Sequence, residues 1–137
     1  MTSQITVDFV RSLNRLAIGA KEAVVKPNEL ESALHRPLFS AKYKEPMPSA
    51  EGLAAELAYG IIMNHPFADG NKRTAFLVSN EYLREKKAKP FADKEPEDLA
   101  TDANMMAVIG DAHSRVAENK MSVDELGEFY VKILSEL

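Results

Sequence analysis

The amino-acid sequence predicts an all-α protein, a compact single domain over residues 1–137 with about six helices. Three observations carry that prediction. Apolar residues recur at helical spacing nearly everywhere, and only residues 36–48 lack a clean period. Residues that start and stop helices stand at the ends of the periodic runs. With 137 residues and an apolar content of 45%, the chain has the material for one core.

The elements follow in order. Val7, Val10, Leu13 and Leu16 step by threes, and Gly19 can end that first helix. Pro27-Asn28-Glu29-Leu30-Glu31 predicts a restart, with Asn28 as cap and Glu31 completing a capping box, and this short helix is expected to stop before Pro37. Residues 36–48 (RPLFSAKYKEPMP) hold Pro37, Pro46 and Pro48, and read as a loop or a short extended hairpin. Ser49 can cap the next helix, whose stripe of Leu53, Ala54, Leu57, Ala58, Ile61 and Ile62 predicts deep burial. It runs out at Asn64-His65-Pro66, because the residue before proline disfavours helix. Ala75, Phe76, Leu77, Val78, Tyr82 and Leu83 mark a second central helix ending near Lys86, Lys87 and Lys89. Pro90 and Pro96 bracket a linker, a helix is expected over about residues 96–113, and Ser122 with Glu125 forms a capping box for the last helix.

The composition narrows the function classes. A formal net charge of −4 argues against a nucleic-acid coat, and the lysines at 86, 87 and 89 read as a solvated helix end. There are no cysteines, which removes disulfides and Cys-based zinc sites. No apolar run approaches the roughly 20 residues that span a bilayer. The opening MTSQITVDFVRSLNRL lacks the pattern of a secretory signal. The expectation is a cytoplasmic protein with no nucleic-acid and no membrane partner.

The chemistry concentrates in residues 65–73, His-Pro-Phe-Ala-Asp-Gly-Asn-Lys-Arg. They join the end of one buried helix to the start of the next. A helix N-terminus presents unpaired N–H groups and partial positive charge, which suits an anion. Gly70 lets the backbone approach a ligand, and Lys72 and Arg73 add full charges beside it. Positive side chains at a helix start oppose the dipole, and an anionic ligand would explain them. Asp69 offers a hard oxygen suited to Mg²⁺, and an imidazole such as that of His65 suits a general base. Base, metal ligand and phosphate cradle together make a kit for phosphoryl or nucleotidyl transfer. Taken singly, each residue also has an ordinary role: His65 as a helix-end cap, Asp69-Gly70 as a turn, Phe67 as a loop anchor.

The order of these residues resembles the Fic/Doc (Fido) family, whose motif reads His-Pro-Phe-x-Asp/Glu-Gly-Asn-Gly-Arg. Residues 65–71 and Arg73 match it, Lys72 stands for the second glycine, and Asn71-Lys72-Arg73 followed by Thr74-Ala75 resembles the death-on-curing (Doc-type) toxin branch. The resemblance implies an ATP- and Mg²⁺-dependent enzyme that modifies a protein hydroxyl. It implies His65 as the base, Asp69 as holder of Mg²⁺, Gly70 and Asn71 as an anion hole, Arg73 on a terminal phosphate and Phe67 as the anchor. By position it also implies a β-hairpin flap for the target protein over Pro37, Leu38, Phe39, Ser40, Ala41, Lys42, Tyr43 and Lys44.

Lys72 bears on which group moves. A glycine there leaves room for the β- and γ-phosphates, presenting the α-phosphate for AMP transfer; a lysine fills part of that space and adds charge. The Doc-type resemblance implies the reversed nucleotide and a protein kinase, with protein adenylyltransfer as the second reading. It further implies a toxin of a toxin–antitoxin pair, with a translation elongation factor as substrate and a small cognate antitoxin as partner. Ser114-x-x-x-Glu118-Asn119 loosely fits an inhibitory-helix pattern of some relatives. Two other classes are weaker. A metal-dependent hydrolase could use His65 and Asp69 as ligands, but His35 and His113 stand in no paired motif and Pro66 breaks the helix between the two. A decayed binding module would not keep the full motif.

Overall fold

The structure is a computed structural model that describes residues 3–20, 26–44 and 46–137, with the side chain of Lys42 outside the described part. The described residues form seven α-helices and no strand: α1 Val7–Ile18, α2 Pro27–Ser40, α3 Ala50–Asn64, α4 Asn71–Glu85, α5 Pro96–Leu99, α6 Ala103–Ala117 and α7 Val123–Glu136. The centre is the pair α3 and α4. Leu53, Leu57, Ala58, Ile61 and Ile62 of α3 are buried, as is every residue of α4 from Thr74 to Asn80. Such all-round burial explains why α3 reads as apolar rather than amphipathic. Small residues bring neighbours close: a Cβ on Gly60 would lie 3.2 Å from the Cβ of Ala33 on α2. α7 covers α3, and α6 covers α4 and α7.

Several predicted boundaries hold because a side chain supplies the missing backbone partner. Ser49 Oγ accepts from Gly52 N at 3.0 Å, and Ser122 and Glu125 form the reciprocal capping box. Gly19 closes α1 in the left-handed region at φ 69°. After α4 the linker is clamped by Asn80, whose amide donates to Ala92 O and accepts from Ala92 N, both at 3.1 Å. Phe91 then packs between Phe76 and Tyr130 at ring distances of 5.8 and 4.9 Å.

Four expectations are corrected. Asn28 does not cap α2: Lys26 is the N-cap residue and Pro27 takes the first helical position, where its missing N–H is harmless. α2 does not stop before Pro37 but runs through it to Ser40, because the buried Ala41 and half-buried Leu38 pack onto the core and offset one lost hydrogen bond. The helix expected over 96–113 is two: α5 ends at Leu99, and Asp102 caps α6 by accepting from Met105 N at 3.1 Å. The β-hairpin flap is absent from the described residues of 37–44. Pro37, Leu38, Phe39 and Ser40 form the last turn of α2, and Ala41–Tyr43 a 3₁₀ turn. His35 stacks on Phe39 at 5.1 Å and Phe39 meets Tyr43 in a tilted contact at 5.4 Å, each pair four residues apart as a helical winding brings about.

Candidate active site

The site is the turn between the two central helices. α3 ends at His65, which adopts φ 46° and ψ 57° and donates its N–H to Ile61 O at 3.2 Å. A left-handed conformation costs a non-glycine residue about 1–2 kcal/mol. It is held because Pro66 and Phe67, buried on one side, pull the chain back into the core while the His65 side chain stays exposed. Pro66 O also accepts from Lys26 N at 3.2 Å.

Asn71 closes the loop. Its Oδ1 accepts from Phe67 N at 3.1 Å and its Nδ2 donates to Phe67 O at 2.9 Å. The side chain is thus a brace for the loop, and what Asn71 can offer a ligand is its backbone N–H at the start of α4. Phe67 is 2% exposed, the anchor the sequence predicts.

Asp69 and the charged pair lie outward. The exposed Asp69 accepts from Gly70 N through Oδ1 at 2.8 Å. Gly70 is the N-cap of α4 at φ 76°, and a Cβ there would overlap Ile18 Cγ2 of α1. No side chain caps α4 among the described residues, and its first turn carries no acidic residue. The helix therefore presents N–H groups and partial positive charge beside the exposed Lys72 and Arg73, an arrangement that attracts an anion. Arg73 Nη1 reaches Ala17 O at 3.4 Å, at the end of α1.

Beside this helix start lies a groove of about 370 Å³ between α4 and α6. Lys72 and Arg73 stand at it together with Phe76, Met106, Ile109 and Ser114. Lys72 thus borders the groove against α6. His113, also lining it, is buried, with Nε2 at 2.5 Å from Tyr130 Oη and its ring beside Lys72. Burial pulls its pKa down to about 4, with the ammonium of Lys72 acting in the same direction and the Lys72 backbone opposing. Burial pushes the Tyr130 phenol well above its ordinary value.

Residues 65–73 form one turn, while Pro37, Ser40 and Lys44 lie along a different groove, beside α2 and α3. A second groove of about 340 Å³ holds Arg36, Pro37, Ser40 and Lys44 with Met63 and Asn64, the residue before His65. Glu118 pairs with Lys120 at 3.2 Å on the surface, so the inhibitory pattern gains no support. No group of three or more His, Asp or Glu side chains that could hold a metal ion occurs among the described residues.

Sequence reading missed two residues behind the loop. Asn14 is fully buried on α1, and its Nδ2 donates to Asp69 O at 3.0 Å and Thr74 Oγ1 at 3.1 Å. The available signal is a polar residue on the apolar face that carries Val10, Leu13 and Ala17. His113 has no comparable signal, since its importance lies in contacts with Lys72 and Tyr130 distant in sequence.

Fold and site together define a helical protein whose central helices meet at a turn bearing an uncapped helix start and two exposed cations. The model of the Fic/DOC family matches residues 4–83, more than half of the chain, and the chain belongs to that family. Its members are protein-modifying transferases that commonly move nucleotide-derived groups. Among curated proteins no sequence matches the chain. No helix among the described residues is long and apolar enough to cross a membrane.

Proposed function

We propose that this chain is a Doc-type toxin, an ATP-dependent protein kinase that transfers the γ-phosphate to a Ser or Thr hydroxyl of a translation elongation factor in the cytoplasm. The observation that carries the reading is the uncapped start of α4, flanked by Lys72 and Arg73 and opening onto an apolar-floored groove. The helix start suits phosphates, and the accessible apolar surface of Ala103, Met106 and Ala107 suits the flat face of a base.

Within this reading the backbone N–H groups of Asn71, Lys72 and Arg73 bind phosphate oxygens, which cost no reorganisation because Asn71 already braces the loop. The Arg73 guanidinium leaves or shares the Ala17 carbonyl to grip a terminal phosphate. The exposed His65 takes the proton of the acceptor hydroxyl. Asp69 fits a Mg²⁺ site of the kind that travels with nucleotides, where one carboxylate suffices because phosphates and waters supply the other ligands. Bound there, Mg²⁺ would neutralise phosphate charge. The segment Pro37–Lys44 faces the target as a helical edge, and a cognate antitoxin is the natural partner.

Protein adenylyltransfer is the second reading, favoured by the family's common transfer of nucleotide-derived groups. Lys72 at the groove mouth supports the kinase, because its charge adds to the cradle where a glycine would leave space. Cell extract incubated with the protein and ATP labelled at the α- or the γ-phosphate decides between them. The kinase moves γ-label onto a protein of elongation-factor size, and His65→Ala abolishes the transfer. Label arriving only from the α-phosphate assigns the adenylyltransferase.

A further inference from the structure

We infer that Asn14 on α1 is a positioning residue for the motif loop, orienting the peptide that aims the Asp69 carboxylate and the first turn of α4 toward Mg²⁺-nucleotide. The nature of the ligand rests on the transferase reading above; the positioning rests on the geometry alone.

Asn14 donates to two groups on either side of Gly70, the Asp69 carbonyl at 3.0 Å and the Thr74 hydroxyl at 3.1 Å. The Asp69 carbonyl and the Gly70 N–H belong to one planar peptide, so holding the oxygen also fixes the N–H direction. That same N–H donates to Asp69 Oδ1 at 2.8 Å. Asn14 therefore reaches the exposed carboxylate through a rigid peptide without touching it. Two neighbours on the same face of α1 complete the wall: Ala17 O accepts from Arg73, and Ile18 stands where a Cβ of Gly70 would be. Positions 14, 17 and 18 lie one turn apart, so a single helix face meets Asp69, Gly70, Arg73 and Thr74.

Simple core filling does not explain an asparagine here. Its Oδ1 is buried with no hydrogen-bond partner among the described residues, an unfavourable state that a leucine of similar size would avoid. The two directed bonds of Nδ2 account for an amide at this position.

The test uses the full chain with Asn14→Leu, which keeps the volume, and Asn14→Ser, which cannot overfill the site. Calorimetry with Mg²⁺-ATP should show binding at least tenfold weaker in both variants. Without nucleotide, amide exchange should quicken at least tenfold over residues 67–74 and stay unchanged in α7. Unchanged loop protection and binding in either folded variant overturns the inference, as does exchange that rises equally in the loop and α7. Failure of the wild-type protein to bind Mg²⁺-ATP removes the transferase reading, and the exchange comparison then still decides the role of Asn14.

Discussion

The motif loop adjoins the start of α2, where Lys26 meets Pro66, and the 37–44 segment lies at its far end, where Lys44 pairs with Glu56; the two are held in opposite ways. In the loop, Phe67 is braced on both backbone groups by Asn71, Asp69 O is held by Asn14, and Pro66 O by Lys26. In the segment, Phe39 and Tyr43 are 48% and 74% exposed with their rings in a tilted contact, and Lys44 bonds Glu56 at 3.2 Å across the surface. Groups that must meet a reacting phosphate need fixed positions. A surface that meets a protein target gains from exposed aromatic area that does little for the fold. Preorganisation here is concentrated where chemistry is proposed.

The largest way to break that contrast is Gly70→Ala. A Cβ meets Ile18 Cγ2 and the residue must keep φ 76°, so the variant should lose about 3–4 kcal/mol of stability by denaturant unfolding and bind Mg²⁺-ATP poorly. Retained stability would mean that α1 is not a rigid wall.

Acid should loosen the same region from behind. The pKa of His113 falls to about 4 in the fold from an ordinary value near about 6.5, so the unfolded chain binds more protons between those values. Its stabilising contribution is full above about pH 6.5 and declines by about 3 kcal/mol as the pH falls through about 4. Melting curves from pH 7 to pH 4 should show this slope, and His113→Leu should flatten it.

Asn71→Leu removes both bonds of the loop brace and leaves the Phe67 backbone groups without them, so a loss of about 1–3 kcal/mol is expected. Nucleotide binding should fall further than stability alone accounts for. The smallest effect belongs to the other region: Phe39→Ala and Tyr43→Ala should each change stability by less than about 1 kcal/mol. If the segment docks the target, the same changes raise KM for the protein substrate and leave ATP binding alone.

Legibility followed the range of the interaction. The cap at Ser49, the box at Ser122 and Glu125, and the stop at Gly19 are short-range, and the sequence shows each plainly. The helical course of 37–43 was hidden, because Pro37 and the strand-favouring aromatics suggest extension while packing of Leu38 and Ala41 onto the core decides for helix. The break at 100–102 was hidden for a different reason, since Asp102 is a cap only once the chain has turned there.

The sequence by itself determined the all-helical class and the chemistry available between His65 and Arg73, because periodicity and residue type are local properties. It singled out Phe67 as the anchor on the same grounds. Only the tertiary structure decided that the side chain of Asn71 braces the loop, that Lys72 borders the groove against α6, and that Asn14 and His113 support the loop and α4 from opposite walls. The role of Asn14 depends on hydrogen bonds across 55 to 60 positions of chain, whose partners exist only after the helices have packed. The Asn71 brace reaches back four residues but forms only once the loop has turned.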